Sequence, residues 1–305
     1  MTHLSVVIPT YNRPELLKRS IRSVLQQTET IDVPVEIVVV DDGSSTPPDR
    51  DAFLGHDIRY LDLDRNSGPQ VARNKGLGIA KGDWVLMLDD DDELIDGTLA
   101  SVLRKIERIK DYKDYPVYFF ATTKGHISGE FAFIHTIDIL KGKLKGDFTP
   151  VIQRSVFLEK GYHYHDYPEL LGVGCESLTW LDISRSFPIP TFNHTLVKVN
   201  EDAPLRLSSY ENFIRNSNKF ALQQDITIRF LQEYSLDQMC PAFLDKKRLG
   251  AATYYLISGK RDVCRERLKS VRSLTLEKVL VRILSYFPVS WAKFLFRRYK
   301  LRFSK

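Results

Sequence analysis

The chain has 305 residues, 43% hydrophobic and 27% charged, which supplies a sizeable core and excludes a disordered or fibrous class. Three scattered cysteines, Cys175, Cys240 and Cys264, argue against a disulfide scaffold and for a reducing compartment. The net charge of +5 is uneven: Pro241 to Lys305 carries 17 basic against 4 acidic residues, which leaves the first 240 residues at −8. A basic tail on an acidic body suggests an anionic partner for the tail, a membrane surface or a nucleic acid. The opening MTHLSVVIPTYN has no basic segment ahead of a long apolar one, and no run of 18 apolar residues occurs, so neither a signal peptide nor a spanning helix is expected.

In chain order, Leu4 to Ile8 reads as a short buried strand ended by Pro9. Pro14 to Gln27 follows as a helix, with Leu17, Ile21, Val24 and Leu25 on one face. Glu36 to Val40 has the composition of a buried parallel strand and runs into Asp41-Asp42-Gly43-Ser44. Ile58 to Leu63 is a third strand, followed by the turn Asn66-Ser67-Gly68-Pro69 and a helix from Gln70 to Ala80 that Gly82 closes. Asp83 to Leu88 is the fourth strand, and it ends in Asp89, Asp90, Asp91 and Asp92. This order predicts an α/β class, a mostly parallel sheet with helices on both faces. Neither G-x-G-x-x-G nor a Walker-type loop occurs, since Gly76, Gly78 and Gly82 have the wrong spacing.

Ligands of open α/β sheets bind beyond the carboxyl ends of strands. Four adjacent carboxylates there repel one another unless protons or a hard divalent cation such as Mg2+ or Mn2+ reduce the charge. Taken alone, the run reads equally as a solvated acidic loop.

Taken together, SVVIPTYNRPELLKRSIRSVLQQT, EIVVVDDGSS, NSGPQVARNKGLGIAKGDWVLMLDDDD and ELIDGTL resemble the successive signatures of family 2 glycosyltransferases, inverting enzymes with a GT-A fold. The likeness is continuous over roughly the first 105 residues, and GDFTPVIQRSVFLEKGYHYHD and GVGCESLTW extend it more thinly. The resemblance implies that Asp42 accepts from a uracil base, that Asp91 meets the donor ribose, and that Asp92 with Asp89 holds the cation. Arg73 becomes a candidate donor-phosphate contact, and Pro9, Tyr11 and Asp90 complete the donor-binding set. It also implies Glu176 as the base that takes the acceptor's proton, although Cys175 stands where the family carries a first acid, and Glu169 and Asp166 are alternatives. The cluster His163-Tyr164-His165-Asp166 is read as an acceptor-pocket wall or surface loop, and Asn200 stands where some relatives carry a histidine near the metal.

After Pro204 the chain reads as helical: Ser208 to Gln224, Ile226 to Tyr234, Asp245 to Ser258, Asp262 to Val271, then the apolar face of Leu276 to Phe287 and a last helix from Ser290. In that last piece Trp291, Phe294, Leu295 and Tyr299 alternate with Lys293, Arg297, Arg298, Lys300 and Arg302, which suits a helix lying on an anionic bilayer. No nucleic-acid reader motif accompanies the charge. The expected organisation is a catalytic domain over 1–204, with a nucleotide-sugar half over 1–114 and an acceptor half over 115–204, and a helical basic region over 205–305. The expected activity is metal-dependent transfer from a nucleotide sugar, a UDP-sugar first, to a lipid-linked surface glycan at the inner face of the cell membrane. The rival is an inactive sugar-nucleotide-binding protein of the same fold.

Overall fold

The computed structural model describes residues 3–28, 31–203 and 209–303, without the side chains of 299–303. The backbone divides into two compact units, Met1–Asp166 with Thr179–Ala203, and Tyr167–Leu178 with Pro204–Lys305. The second unit thus takes in Tyr167–Leu178, which the sequence reading places in the acceptor half.

The first unit runs β1 (Leu4–Thr10), α1 (Pro14–Thr28), β2 (Val35–Asp41), β3 (Ile58–Asp62), α2 (Pro69–Ile79), β4 (Trp84–Met87), β5 (Glu93–Leu94), α3 (Leu99–Ile106), β6 (Val117–Thr122), β7 (Phe131–Ile134), α4 (Thr136–Leu140), β8 (Phe148–Gln153) and α5 (Arg154–Glu159). It closes with most of α6 (Glu176–Ser184), inside which the division between units falls, and with β9 (Ile189–Lys198). The described strands form one sheet of order β3-β2-β1-β4-β8-β6-β9-β5, with β7 paired to β9. The pairs β3–β2, β2–β1 and β1–β4 are parallel, whereas β8 runs antiparallel to β4 and to β6. The helical connections therefore leave the carboxyl ends of β1, β2 and β4 together at one edge.

Burial on both faces explains the unbroken apolar runs. Trp84, Leu86 and Leu88 point into a core with Leu17, Ile21 and Val24 of α1, while Val85 and Met87 point into the opposite core with Ala72 and Leu77 of α2. Gly76 is part of the second contact: a Cβ there would lie 2.4 Å from the Val7 side chain. It serves helix–sheet packing rather than phosphate binding.

One boundary differs from expectation. Strand β1 does not end at Pro9 but continues to Thr10, pairing Pro9 with Val40 and Thr10 with Asp41. The Val7 carbonyl accepts from Leu88 on the β4 side and the Thr10 carbonyl from Asp42 on the β2 side. By alternation the missing N–H of Pro9 faces the β4 side, where the ladder has already ended.

The second unit holds α7 (Tyr210–Arg215), α8 (Ser217–Glu233), α9 (Pro241–Ile257), α10 (Arg261–Lys269), α11 (Leu276–Leu284) and α12 (Val289–Phe303). The break expected near Asp225 falls instead at Asn216, where the backbone leaves helical values (φ −104°, ψ 20°). Asp225 is buried mid-helix because its carboxylate accepts from Tyr255 and Arg267, both at 2.8 Å. No described helix is long and apolar enough to cross a membrane.

Candidate active site at the strand ends

The acidic turn after β4 is built from helix α1 outward. Ser20, Ser23 and Gln27 recur at i, i+3 and i+7 and are all buried, forming a polar stripe beside the apolar face. The Ser20 hydroxyl lies 2.5–3.2 Å from the carbonyls of Asp89, Asp90 and Asp92. Ser23 Oγ accepts from the Leu94 N–H at 2.9 Å, and Gln27 Oε1 accepts from the Leu99 N–H at 2.9 Å. One helix face therefore satisfies the backbone polar groups of the turn, which burial would otherwise leave costly. Arg19 adds a bond to the Asp91 carbonyl at 2.8 Å.

The four carboxylates then separate into distinct roles. Asp90 points inward, 5% exposed, and accepts from Thr10 at 2.7 Å and Arg13 at 2.9 Å. Burial pushes its carboxyl up to about 6 against the pull of Arg13 and Thr10. Arg13 also reaches Asp91 at 3.1 Å, so it spans two neighbouring acids. Asp89 pairs with Arg73 at 2.5 Å, and Arg73, a residue only 7% exposed, places its guanidinium over the Tyr164 ring at 5.6 Å. Asn74 fixes that aromatic by exchanging two bonds of 2.8 Å with the Tyr164 main chain. Asp92 accepts from the Asn200 N–H at 3.0 Å. Burial first, then the negative charges of Asp89 and Asp91, push its carboxyl up to about 7.

Asp89, Asp91 and Asp92 each bring a carboxylate oxygen to within 4.8 Å of the others. Three hard oxygen donors this close to one another fit a divalent cation such as Mg2+ or Mn2+, whose charge would relieve their mutual repulsion.

The carboxyl end of β2 supplies the second part. Both Asp42 oxygens accept main-chain N–H groups, from Ser67 and Gly68, each at 2.8 Å. Burial still raises its carboxyl above the ordinary range despite those bonds. A carboxylate retains further lone pairs, so accepting a base edge remains open to it. Asn12, in the left-handed region at φ 54°, clamps the loop after β2: its amide oxygen accepts from the main chain of Ser45 and Thr46 at 2.8 and 3.2 Å, and its own N–H donates to Ser44 at 2.7 Å. Tyr11 beside it is 42% exposed, whereas Pro9 is buried in β1.

Glu176 opens α6, half-buried, on the portion of chain that belongs to the second unit. Glu169 lies in a short 3-10 turn of the same segment. The segment from His163 to Asp166 is irregular rather than a strand. The His163 and His165 rings stand 5.1 Å apart, and His165 faces Asp182 at 3.5 Å. Among the described residues the only metal-compatible acid or histidine group is Asp89, Asp91 and Asp92. Asn200 contributes its amides to Asp92, to Glu93 and to the Asp91 carbonyl. Sequence reading missed Thr10, Asn12, Arg13 and the Ser20–Ser23–Gln27 stripe; the uncharged polar i, i+3, i+7 spacing beside the apolar face of α1 was the available signal.

A parallel α/β sheet that gathers buried Asp42 and a carboxylate triad at its strand ends, then turns antiparallel, is the GT-A fold. Residues 5–141, a little under half of the chain, match the family described as glycosyl transferase family 2. The chain is similar to the GalNAc(5)-diNAcBac-PP-undecaprenol beta-1,3-glucosyltransferase of Campylobacter jejuni, with 31% identity over 198 residues, 61% of this chain and 60% of the relative. It is also similar to the succinoglycan biosynthesis protein ExoO of Rhizobium meliloti, with 38% identity over 106 residues, 34% of this chain and 30% of the relative. The crystal structure of S. aureus TarS in complex with UDP superposes with a TM-score of 0.59 at 18% identity, covering 98% of this chain and 92% of that one. The chain spans less than two thirds of the length of the curated relatives it matches.

Proposed function

We propose that the protein is an inverting glycosyltransferase that moves a sugar from a nucleotide-sugar donor, first a UDP-sugar, to a hydroxyl of a lipid-linked bacterial surface glycan. The observation that carries this reading is the triad of Asp89, Asp91 and Asp92 at the end of β4, within the stretch that matches the family. The Campylobacter relative is named for an undecaprenol-linked acceptor and TarS was crystallised with UDP, which supports both halves of the proposal.

In this reading Asp42 accepts from the base, Pro9 and Tyr11 border it, and Asp91 orients the ribose. Asp92 and Asp89 would hold Mg2+ or Mn2+, which stabilises the negative charge left on the departing diphosphate. Arg73, already paired with Asp89, remains within the donor set, and buried Asp90 acts through Arg13 and Thr10. Glu176 takes the proton of the attacking hydroxyl, a role resting on its place in the GVGCESLTW motif. Basic residues of 290–305 would keep the protein at the anionic inner face of the cell membrane, near a lipid-linked acceptor.

Donor turnover without acceptor tests the proposal. A transferase leaks UDP from a UDP-sugar in the presence of Mn2+. A protein that binds UDP-sugars but never releases UDP, with any acceptor supplied, is a sugar-nucleotide-binding protein instead.

A further inference from the structure

Helix α11 carries a broad apolar stripe of which only one side is buried. Val281 and Leu284 face inward into a core with Leu249, Leu256 and Leu268, and Ala292 of α12 joins the same core. On the other side Leu276, Leu280 and Ile283, at i, i+4 and i+7, are 85%, 45% and 50% exposed. Glu277, Lys278 and Arg282 fill the remaining arc of the helix, so the apolar stripe is wider than the core covers and its uncovered side is the kind of surface that takes a partner. The surface continues onto α12, because Phe287 stacks on Trp291 with centroids 5.4 Å apart and planes 19° apart. Trp291 and Phe294, one turn apart, are 57% and 56% exposed. A contiguous exposed apolar face of this kind is unusual on a protein that has no partner for it.

The charges decide the partner. Between Leu276 and Arg298 the chain carries Lys278, Arg282, Lys293, Arg297 and Arg298 against a single acid, Glu277. Arg282, Arg297 and Arg298 are exposed on these helices, and Arg298 lies over the Phe294 ring at 5.1 Å. A second copy of the chain would set this positive face against itself, which like-charge repulsion disfavours. An anionic bilayer offers apolar depth and negative headgroups together.

We infer that the joined outward face of α11 and α12 is a docking surface for an anionic lipid bilayer, with Leu280, Ile283, Trp291 and Phe294 entering the headgroup–acyl boundary. This goes beyond the basic tail, since it gives α11 an equal part and makes apolar insertion, not charge alone, the holding interaction. Tyr299, Lys300, Arg302 and Lys305 fall outside the residues whose side chains are described, and the inference does not need them.

The test is flotation of the full chain with phosphatidylcholine vesicles, with and without phosphatidylglycerol. The wild type is expected to float with the anionic vesicles only, less so at high salt. The double variant Ile283→Glu with Trp291→Glu should lose about tenfold or more of that binding while keeping its melting temperature, since both side chains are exposed. Tryptophan emission should shift to the blue on anionic vesicles, and the shift should vanish in Trp291→Phe. Failure of the wild type to float, or flotation of the double variant at the wild-type level, overturns the inference. So does a concentration-dependent dimer that Ile283→Glu abolishes, which would give the face to a second copy. None of these readouts uses a donor or an acceptor, so their failure leaves the transferase proposal standing, and the reverse.

Discussion

The main-chain N–H of Asn200, two residues past the end of β9, donates to the Asp92 carboxylate at 3.0 Å. The two residues are more than a hundred positions apart in the chain, yet this bond sets which oxygen of Asp92 remains for another ligand. With the bond from the Asn200 side-chain amide to the Asp91 carbonyl, it ties the segment after β9 to the acidic turn.

Removing the Asp92 charge tests the turn's assignment. Asp92→Asn should weaken Mn2+-dependent UDP binding by at least about tenfold, because a hard cation loses an anionic oxygen donor while the side-chain volume is preserved. Titration calorimetry with and without Mn2+ reads the effect. Unchanged affinity in the presence of the metal would move the cation elsewhere.

The polar stripe of α1 makes a separate prediction. Ser20 is fully buried and faces the carbonyls of Asp89, Asp90 and Asp92, so Ser20→Ala leaves a buried acceptor without its donor. A loss of about 1–3 kcal/mol in stability is expected, accompanied by weaker UDP binding as the turn loosens. Urea titration checks the first and calorimetry the second; a variant as stable as the parent would show that the turn holds itself.

Chemistry is separated from binding at Glu176. If this carboxylate takes the acceptor's proton, Glu176→Gln should keep donor affinity and lower transfer by about 100-fold or more. Single-turnover transfer measured beside UDP affinity gives both quantities. Transfer near the parental rate would return the role to Asp166 or Glu169.

Glu36 offers a stability prediction with a defined sign. Burial opposes its charge, but Ser5 Oγ and the Lys81 N–H, each at 2.5 Å, and Arg59 at 3.5 Å hold its carboxyl below the ordinary value of 4.5. Because the folded value is depressed, the stabilisation is fully present above about pH 4.5 and is lost as the pH falls through the folded value. Glu36→Gln should therefore cost about 1–3 kcal/mol at neutral pH and progressively less in acid. Thermal melts across that range check it, and a constant difference at every pH would assign the cost to shape rather than charge.

The order of the first four strands and two helices was legible because each element repeats its own local signal. Val85 and Met87 alternate with Trp84, Leu86 and Leu88 between two cores, and only a central strand accounts for such a run. The acids at the strand ends were legible for the same reason, since a strand's end is where the apolar run stops. Which of the four acids faces outward was not legible. Asp90 and Asp91 are adjacent and chemically identical, and only the three-dimensional positions of Thr10 and Arg13 turn Asp90 inward. Asn200 on Asp92, Tyr164 beneath Arg73 and Ser20 under the turn are likewise contacts between distant segments. Local periodicity carries no record of the partner across a fold. The sequence also left open whether the apolar side of α11 faces a core or solvent, because periodicity names a face without naming what covers it. The tertiary structure showed both: Val281 and Leu284 inside, Leu276 and Ile283 outside.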